Sequence, residues 1–311
     1  MKKRILLVDT MNILHNIKYN NRPFANDLFA EINILIEKLR PDIIVLGNDK
    51  GGSDYRKELL PEYKGHRKTQ KKTPQVIERE KEMKLWRESG LRALSDFFPY
   101  LEMRGVEFDD LATLFYKRNY EEYDIIIVSQ DKDFLSQVAY DKVYDWRKQK
   151  FKTPEDRYGL SRNDFVRFQC LVGDTADNIP SFCGEKTALA LLGSGLSFKQ
   201  LRDIDTDGDI DPDVFPLVTP YNKRYIKKAL TEIKTEAGWE QLKLNHRLVM
   251  MFDSLEYLTE PQQESYLEME QSILTKNKDK FKISAELENF LESVAGGIDA
   301  IDDLEMVYDT L

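Results

Sequence analysis

The sequence has few cysteines and few histidines, and each scarcity excludes a class of site. Cys170 and Cys183 are the only cysteines among 311 residues; they are too few for a disulfide framework and show no spacing typical of zinc. The histidines, His15, His66 and His246, are scattered and form no group suited to acid–base catalysis. These absences favour a reducing compartment, the cytoplasm, and leave carboxylates as the main candidates for chemistry.

Long hydrophobic runs are also missing. No apolar stretch approaches the ~20 residues that a membrane-spanning helix needs, and the opening MKKRILLVDT passes from a basic tripeptide directly into a strand. We therefore expect no membrane association and no signal peptide. With 41% hydrophobic and 11% aromatic residues, the chain can bury one large core or two unequal cores.

The net charge of −9 argues against a nucleic-acid partner if it is averaged over the chain, because cations supply most non-specific affinity for phosphates. The distribution of charge matters more than its total. The segment KGHRKTQKK is a basic run. A run of this kind is commonly a solvated surface, so both a binding loop and an ordinary exposed face stay open for it. Its five cations, with no acid among them, are Lys64, Arg67, Lys68, Lys71 and Lys72.

Three short apolar runs, rich in β-branched residues, predict buried strands at Ile5–Val8, Ile43–Leu46 and Ile125–Val128. Amphipathic helices beginning at Asn26 and at Asp109 are predicted between them. Strand, helix, strand order is typical of a parallel sheet with right-handed crossovers. The expected fold class is therefore α/β, with a central, mainly parallel sheet flanked by helices.

A longer helix is predicted over Thr73–Phe97, because Thr73 can cap it and Pro74 suits its first position. Ile77, Leu91 and Leu94 belong to its predicted apolar positions. The basic segment would then be a loop that leads into the N-terminus of this helix.

Beyond residue 160 the strand signals fade and helices are predicted instead. They cover residues 161–172, residues 187–192 and a segment from Thr219 to Glu236. We therefore expect two domains, with the sheet in residues 1–160 and a helical domain in residues 161–311.

Three aspartates, Asp9, Asp49 and Asp131, closely follow the predicted strands, so they should converge at the carboxyl edge of the sheet. Carboxylates a few ångströms apart repel by about 4 kcal/mol per pair at an effective dielectric near 20, so the cluster needs protons or cations. Oxygen ligands without His or Cys favour Mg²⁺ or Mn²⁺, and two such ions suit phosphoryl displacement. For any single aspartate, a capping or turn role stays open. The sequence adds Glu107, Asp109, Asp110 and Asp133 to the cluster.

Five motifs resemble, in order and spacing, those of the flap-endonuclease superfamily of 5′ nucleases. They are VDTMNIL, YRKELLPEYKGHR, GVEFDD, SQDKDFL and LVGDTADNIP, and together they span Val8 to Pro180. The chain's size, the segment around Trp146 and the helical C-terminal third are most similar to the ribonucleases H of T-even-type bacteriophages. The resemblance implies a PIN-like 5′-nuclease fold, a helical arch over residues 64–99, and removal of RNA primers and 5′ flaps during replication.

The resemblance also implies a set of ligands for two Mg²⁺ ions, for which Mn²⁺ can substitute. Asp9 and Asp131 are the implied catalytic acids. Only the resemblance brings in the two aspartates of GDTADN. The acids implied around the first ion are Asp9, Asp49, Glu107, Asp109 and Asp110, and those nearer the second are Asp131, Asp133, Asp174 and Asp177.

Substrate-binding residues are implied in the same way. Lys64 and Arg67 match cations at the base of the arch that hold the scissile phosphate, and Tyr63 matches an aromatic that can stack on a terminal base. The neighbouring Lys68, Lys71 and Lys72 would contact other phosphates. The implied partners are DNA and RNA–DNA duplexes with 5′ ends, flaps or forks, and by analogy a single-strand-binding protein or clamp at the C-terminal region; a monomer is the default.

Residues 174–192 match the hairpin that grips duplex DNA in the family, with Lys186 as a substrate-binding cation. The match is incomplete, because IPSFCGEKTALALL is two residues shorter than the family pattern and has only Gly184 in its turn. An ordinary loop and helix is therefore an open alternative here.

The sequence also allows a calcium-binding loop and two rival functions to be considered. The acidic loop Asp203–Val214 fits part of a calcium-binding loop but ends in Val214 where a bidentate glutamate is needed, so a solvated loop is favoured. The rival functions are a PIN-type single-strand ribonuclease and a fork-binding protein that does not cleave. Intact acidic positions in every motif argue against the latter.

Overall fold

The structure is a computed structural model that describes residues 2–16, 24–65, 73–95, 97–137, 142–153 and 155–276. The expectations for Arg67, Lys68, Lys71 and Lys72 lie outside the described residues, as does the segment 277–311.

A six-stranded sheet in the order β3-β2-β1-β4-β5-β6 forms the centre of the fold. Neighbouring strands are parallel except for β5 and β6, which are antiparallel. The three predicted strands are confirmed as β1, β2 and β4, and the mainly parallel sheet is confirmed with them. The strands are β1 (Arg4–Asp9), β2 (Ile43–Gly47), β3 (Tyr100–Leu101), β4 (Asp124–Val128), β5 (Val143–Asp145) and β6 (Lys150–Phe151).

Helices surround the sheet and form the C-terminal part of the chain. Those before residue 160 are α1 (Thr10–Asn16), α2 (Phe24–Leu39), α3 (Asp54–Leu59), α4 (Pro74–Ser95), α5 (Phe108–Asn119), α6 (Phe134–Gln137) and α7 (Glu155–Tyr158). Those after it are α8 (Arg162–Val172), α9 (Glu185–Leu192), α10 (Phe198–Asp203), α11 (Lys223–Lys234), α12 (Glu236–Val249) and α13 (Glu260–Lys276).

The alternation of side chains along a strand gives the sheet two buried faces. Ile5 and Leu7 of β1 pack on one face with residues of α5, whereas Leu6 and Val8 pack on the other with residues of α2 and α4. Because both faces are covered, the centres of β1, β2 and β4 are apolar, and the acids of the candidate site lie at or just beyond the carboxyl ends of these strands.

The C-terminal helices build a core of their own between α8, α9, α11 and α12. The chain after this core returns to the sheet, where Met251, Phe252 and Tyr266 are buried in the same cluster as β1 and α5. Arg118 of α5 also forms an ion pair with Glu270 of α13, 2.9 Å apart. Residues beyond 160 therefore contribute to packing on the sheet as well as to the helical core.

Two local predictions were wrong. Ile77, expected on the apolar face of α4, is 43% exposed. The helix expected to start at Thr219 begins at Lys223, because Thr219 first forms a turn in which its Oγ1 accepts the backbone N–H of Asn222. Among the described residues, no helix has the length and apolarity that crossing a bilayer would require.

Candidate metal centre and nucleic-acid interface

The first part of the site is the junction of β1 and β4. Asp9 ends β1, and its carboxylate accepts the backbone N–H of Asn12 at 2.9 Å and the hydroxyl of Ser129 at 2.8 Å. The same Ser129 oxygen accepts the backbone N–H of Asp131 at 3.0 Å. Ser129 therefore links Asp9, the last residue of β1, to Asp131, which follows β4.

Asp49 connects β2 to the start of α5. Its carboxylate accepts the backbone N–H of Phe108 at 2.7 Å, which brings the β2 edge next to the acids of GVEFDD. One ligand atom from each of Glu107, Asp109 and Asp110 lies within 4.8 Å of the others. Among the described residues, this trio forms the tightest group of potential metal ligands.

Arg56 is a buried cation beside this trio. Its guanidinium donates to both carboxylate oxygens of Asp110 and, from Nη1, to Glu107 at 3.5 Å. It also donates to the backbone carbonyls of Leu248 and Met250 at 2.9 and 3.1 Å. Asp110 thus has a second role as the counter-ion of an arginine that joins α3 to the C-terminal helices.

Tyr63 and Lys64 approach the trio from the base of the basic segment. The Tyr63 hydroxyl lies 3.0 Å from Glu107 and 3.1 Å from Asp177, and the Lys64 ammonium lies 2.5 Å from Glu107. Tyr63 is only 5% exposed. The expectation that its ring stacks on a terminal base therefore does not fit this position, because the ring is packed inside the protein; Lys64, whose side chain is 23% exposed, faces the site.

The second acidic group lies around the loop between α8 and α9. Asp174 accepts the backbone N–H of Ala176 at 2.8 Å and pairs with Lys132 at 3.0 Å. The carboxylate of Asp133 accepts a hydrogen bond from the side-chain N–H of Gln169. The Oε1 atom of Gln169 is buried without a hydrogen-bond partner. The GDTADN loop is therefore fixed by its own backbone and by residues that follow β4.

One cavity joins the two groups. Asp109 of the first group and Asp133, Asp174 and Asp177 of the second line it, together with Gln169. These four sequence-predicted acids, from both groups, thus share a common space.

The electrostatics of this space show an excess of negative charge. Burial, with smaller contributions from nearby Asp131 and Asp49, raises the pKa of Asp9 to about 7. Burial, with repulsion from Asp131, likewise raises the pKa of Asp133 to about 7. The pKa values of Asp49 and Asp109 are also raised, first by burial and then by neighbouring carboxylates.

Glu107 and Asp174 carry the opposite shift. Burial opposes ionisation of Glu107, but Lys64 and Arg56 outweigh it and lower its pKa. Asp174 is held below its ordinary pKa in the same way, because its contact with Lys132 outweighs burial. Added positive charge would stabilise most the ionised forms of the acids whose pKa values are raised. An all-oxygen donor set with this uncompensated charge fits hard divalent cations such as Mg²⁺ or Mn²⁺.

The hairpin region, residues 174–192, supplies the last part of the candidate interface. Gly184 precedes α9, and Lys186 is exposed in the first turn of that helix. The preceding loop is anchored by the backbone N–H groups of Phe182 and Cys183, which donate to the carbonyl of Leu171. Lys186 is thus accessible at a helix N-terminus.

Sequence reasoning did not assign roles to Arg56, Ser129, Lys132 and Gln169. Arg56 lies in the quoted YRKELLPEYKGHR motif, and Ser129 and Lys132 flank Asp131, so position within the motifs was the available signal. Gln169 gave no such signal, because its contact with Asp133 joins residues 36 positions apart.

Residues 4–161 match the family described as 5′-3′ exonuclease, N-terminal resolvase-like domain. Because this match covers half of the chain, the chain belongs to that family. The chain is also similar to curated proteins of the same kind. It is 29% identical to the flap endonuclease of Escherichia phage T5 over 194 residues, covering 57% of this chain and 65% of that protein.

Two other curated relatives show how much of each protein the similarity covers. The chain is 30% identical to the 5′-3′ exonuclease of Buchnera aphidicola subsp. Schizaphis graminum over 209 residues, covering 61% of this chain and 70% of that protein. It is 30% identical to DNA polymerase I of Bacillus caldotenax over 213 residues, covering 62% of this chain but only 23% of that protein. The chain therefore spans a minor part of the polymerase relatives.

The fold is shared with solved structures. The zinc-bound T5 5′-exonuclease superposes with a TM-score of 0.73 at 22% identity, over 89% of this chain and 100% of that one. A complex of the bacteriophage T5 flap endonuclease with DNA and metal ions superposes with a TM-score of 0.71 at 22% identity, with the same coverage. At this identity the likeness establishes the fold, and the α/β prediction is confirmed.

Proposed function

We propose that this chain is a Mg²⁺-dependent nuclease that hydrolyses phosphodiester bonds at 5′ ends and flaps of DNA and of RNA–DNA duplexes, including RNA primers. The observation that carries the proposal is the lining of one cavity by Asp109, Asp133, Asp174 and Asp177, at the sheet edge where Asp9, Asp49 and Asp131 end or follow their strands. Family membership supports the same reaction class.

The proposed ligands of two divalent ions are the nine acids named from the sequence. When bound, the ions would supply positive charge to the phosphate and promote ionisation of the attacking water. The protein's part is to hold the carboxylates in place. Ser129 fixes Asp9 relative to Asp131, and the backbone N–H of Phe108 fixes Asp49.

Two lysines lie where they could act on a phosphate. Lys64 contacts Glu107 and Lys132 contacts Asp174 at the mouths of the two acidic groups. Fixed donors of this kind stabilise charge that develops in the transition state. We propose that Lys64, together with Arg67, holds the scissile phosphate, with Lys68, Lys71, Lys72 and Lys186 contacting other phosphates.

The proposal is tested by incubating the protein with a 5′-labelled flap duplex, an RNA-primed duplex and a single-stranded RNA, each with Mg²⁺ and with excess EDTA. The expected result is Mg²⁺-dependent cleavage of both duplexes, giving short products with 5′-phosphates and 3′-hydroxyls. Cleavage confined to single-stranded RNA would instead support a PIN-type ribonuclease. Tight binding without cleavage in Mg²⁺ would support a fork-binding protein.

A further inference from the structure

A second basic surface lies on α11, far along the chain from the basic segment. Residues 221–231, YNKRYIKKALT, contain four cations and no acid. The helix is anchored by buried Ile226, Ala229, Leu230 and Ile233 on its inner side. Its outer side is therefore a firmly held surface with a strong excess of positive charge, although the whole chain carries a net charge of −9.

Exposed aromatic rings lie within this basic surface. Tyr221 is 88% exposed and Tyr225 is 47% exposed. The guanidinium of Arg224 lies 4.5 Å from the centre of the Tyr225 ring. Arg224 and Tyr225 lie one turn before Lys228 on the outer side of α11, and Tyr221 lies in the turn just before the helix. We call these four residues the α11 stripe.

The acidic loop lies against a different edge of the same helix. Lys223 pairs with Asp209 at 2.7 Å, and Lys227 donates to the carbonyl of Gly208 at 3.3 Å. These contacts engage the two lysines that are not part of the α11 stripe. The acidic loop thus has a structural partner in α11, while the stripe faces solvent with its rings and cations.

The helix that carries the α11 stripe lies beside the hairpin region. α11 packs against α9, and the side chain of Leu217, just before α11, lies over Gly193 at the end of α9. At the other end of α9, Glu232 is close enough to Cys183 to raise the pKa of its thiol, after burial. The two helices therefore lie side by side, and the stripe is displaced from Gly184 by about one α9 length, ~12 Å.

We propose that the α11 stripe binds an unpaired nucleic-acid strand, with bases stacked on Tyr221 and Tyr225 and phosphates held by Arg224 and Lys228. Open aromatic faces between cations suit single strands, because every base has a face to stack and every nucleotide has a phosphate. The proposal rests on the proposed nuclease function and deepens it. It gives the protein a place for a single-stranded arm of its substrate beside the shortened hairpin.

The test measures binding in excess EDTA, where cleavage does not interfere. Fluorescence anisotropy with a labelled oligothymidylate and with a blunt duplex would compare the full-length protein with Tyr221→Ala/Tyr225→Ala and Arg224→Ala/Lys228→Ala over a salt series. The tyrosine pair should weaken single-strand binding by about 5- to 150-fold for each stacked base lost. The cation pair should reduce the salt slope by about 1.4.

Matched controls are available on other surfaces. Tyr120 is 46% exposed and supplies a control for the rings, and Lys199 and Lys243 are exposed lysines for the cation pair. Tyr120→Ala and Lys199→Ala/Lys243→Ala should leave oligothymidylate binding within about twofold of wild type. Tyr221→Phe/Tyr225→Phe should retain binding, because the rings remain.

Several outcomes would overturn the proposal. These are unchanged oligothymidylate affinity in both stripe variants, an equal loss in the controls, or a loss confined to the blunt duplex, which would make the stripe a duplex contact. Failure of the proposed nuclease function is recognised separately, because it would abolish Mg²⁺-dependent cleavage while leaving these EDTA measurements intact.

Discussion

The guanidinium of Arg56 donates to both carboxylate oxygens of Asp110 inside the protein, where the two side chains are 3% and 0% exposed. Arg56 lies between the acidic trio, to which Asp110 belongs, and the carbonyls of Leu248 and Met250. It therefore fixes the position of the candidate metal centre relative to the C-terminal helices. Removing one partner of such a pair leaves a buried charge without compensation.

Arg56→Ala is expected to lower the free energy of unfolding by about 3–5 kcal/mol, because Asp110 and two backbone carbonyls lose their donor. Urea unfolding in EDTA measures this loss. Lys57→Ala is the matched control, since Lys57 is the next residue on α3 and its side chain is 41% exposed. Equal stability of the two variants would show that the Arg56 contacts contribute little.

The pH dependence of stability follows from the raised pKa values of Asp9 and Asp133. Both are about 7 in the folded protein, against an ordinary value of 3.8. Between these values the folded protein retains protons that the unfolded chain has released, so these groups make the free energy of unfolding fall as pH rises from about 4 to about 7.

Urea unfolding in EDTA should therefore show a smaller decrease between pH 5 and pH 8 for Asp9→Asn/Asp133→Asn than for wild type. Mg²⁺ should stabilise the wild type more at pH 8 than at pH 5, because its ligands must be ionised. The same pH dependence in wild type and the double variant would contradict the raised pKa values.

Gln169 is expected to support metal binding without carrying charge. Its amide holds Asp133, and its unpaired Oε1 is buried beside the cavity. Residues that orient a ligand typically affect metal affinity by about 10- to 100-fold. Gln169→Leu should weaken Mn²⁺ binding, measured by calorimetry, by an amount in that range.

The exposed glutamine Gln271 on α13 provides a control for this substitution. Gln271→Leu should bind Mn²⁺ as wild type does. Unchanged Mn²⁺ affinity in Gln169→Leu would mean that Asp133 does not depend on this contact.

Most of the fold could be predicted from the sequence, because β1, β2 and β4 are continuous apolar runs and an aspartate ends or closely follows each of them. The short strands β3 and β5 could not, since two or three residues leave no periodic signal and their pairing depends on the strands already present. The convergence of Asp9, Asp49 and Asp131 followed from strand polarity alone.

The parts of the site that were missed depend on long-range packing. Tyr63 matches an aromatic that can stack on a base, yet the structure buries it against Glu107 and Asp177, which lie 44 and 114 positions away. The contacts of Arg56 with Leu248 and Met250 cross 192 and 194 positions. Local patterns carry no information about such pairings.

Lys64 should affect the chemical step more than binding. Its ammonium lies beside Glu107 at the mouth of the site, and loss of a fixed donor to a reacting group costs about 100- to 1000-fold in rate. Lys64→Ala should show this loss in single-turnover cleavage at saturating protein. Lys50→Ala, at an exposed lysine paired with Glu102, is the control; a change in affinity alone for Lys64→Ala would make it an ordinary phosphate contact.

The central claim is that the acids around the cavity bind the divalent ions needed for cleavage. Its most direct test is the single-turnover rate on a 5′-flap duplex across an Mg²⁺ titration, for wild type and for Asp109→Asn, whose carboxylate belongs to the tightest group of candidate ligands. The predicted result is no cleavage by wild type in excess EDTA, and a rate for Asp109→Asn lower by several orders of magnitude at saturating Mg²⁺. Undiminished cleavage in EDTA, or a near-normal rate for the variant, would contradict the account.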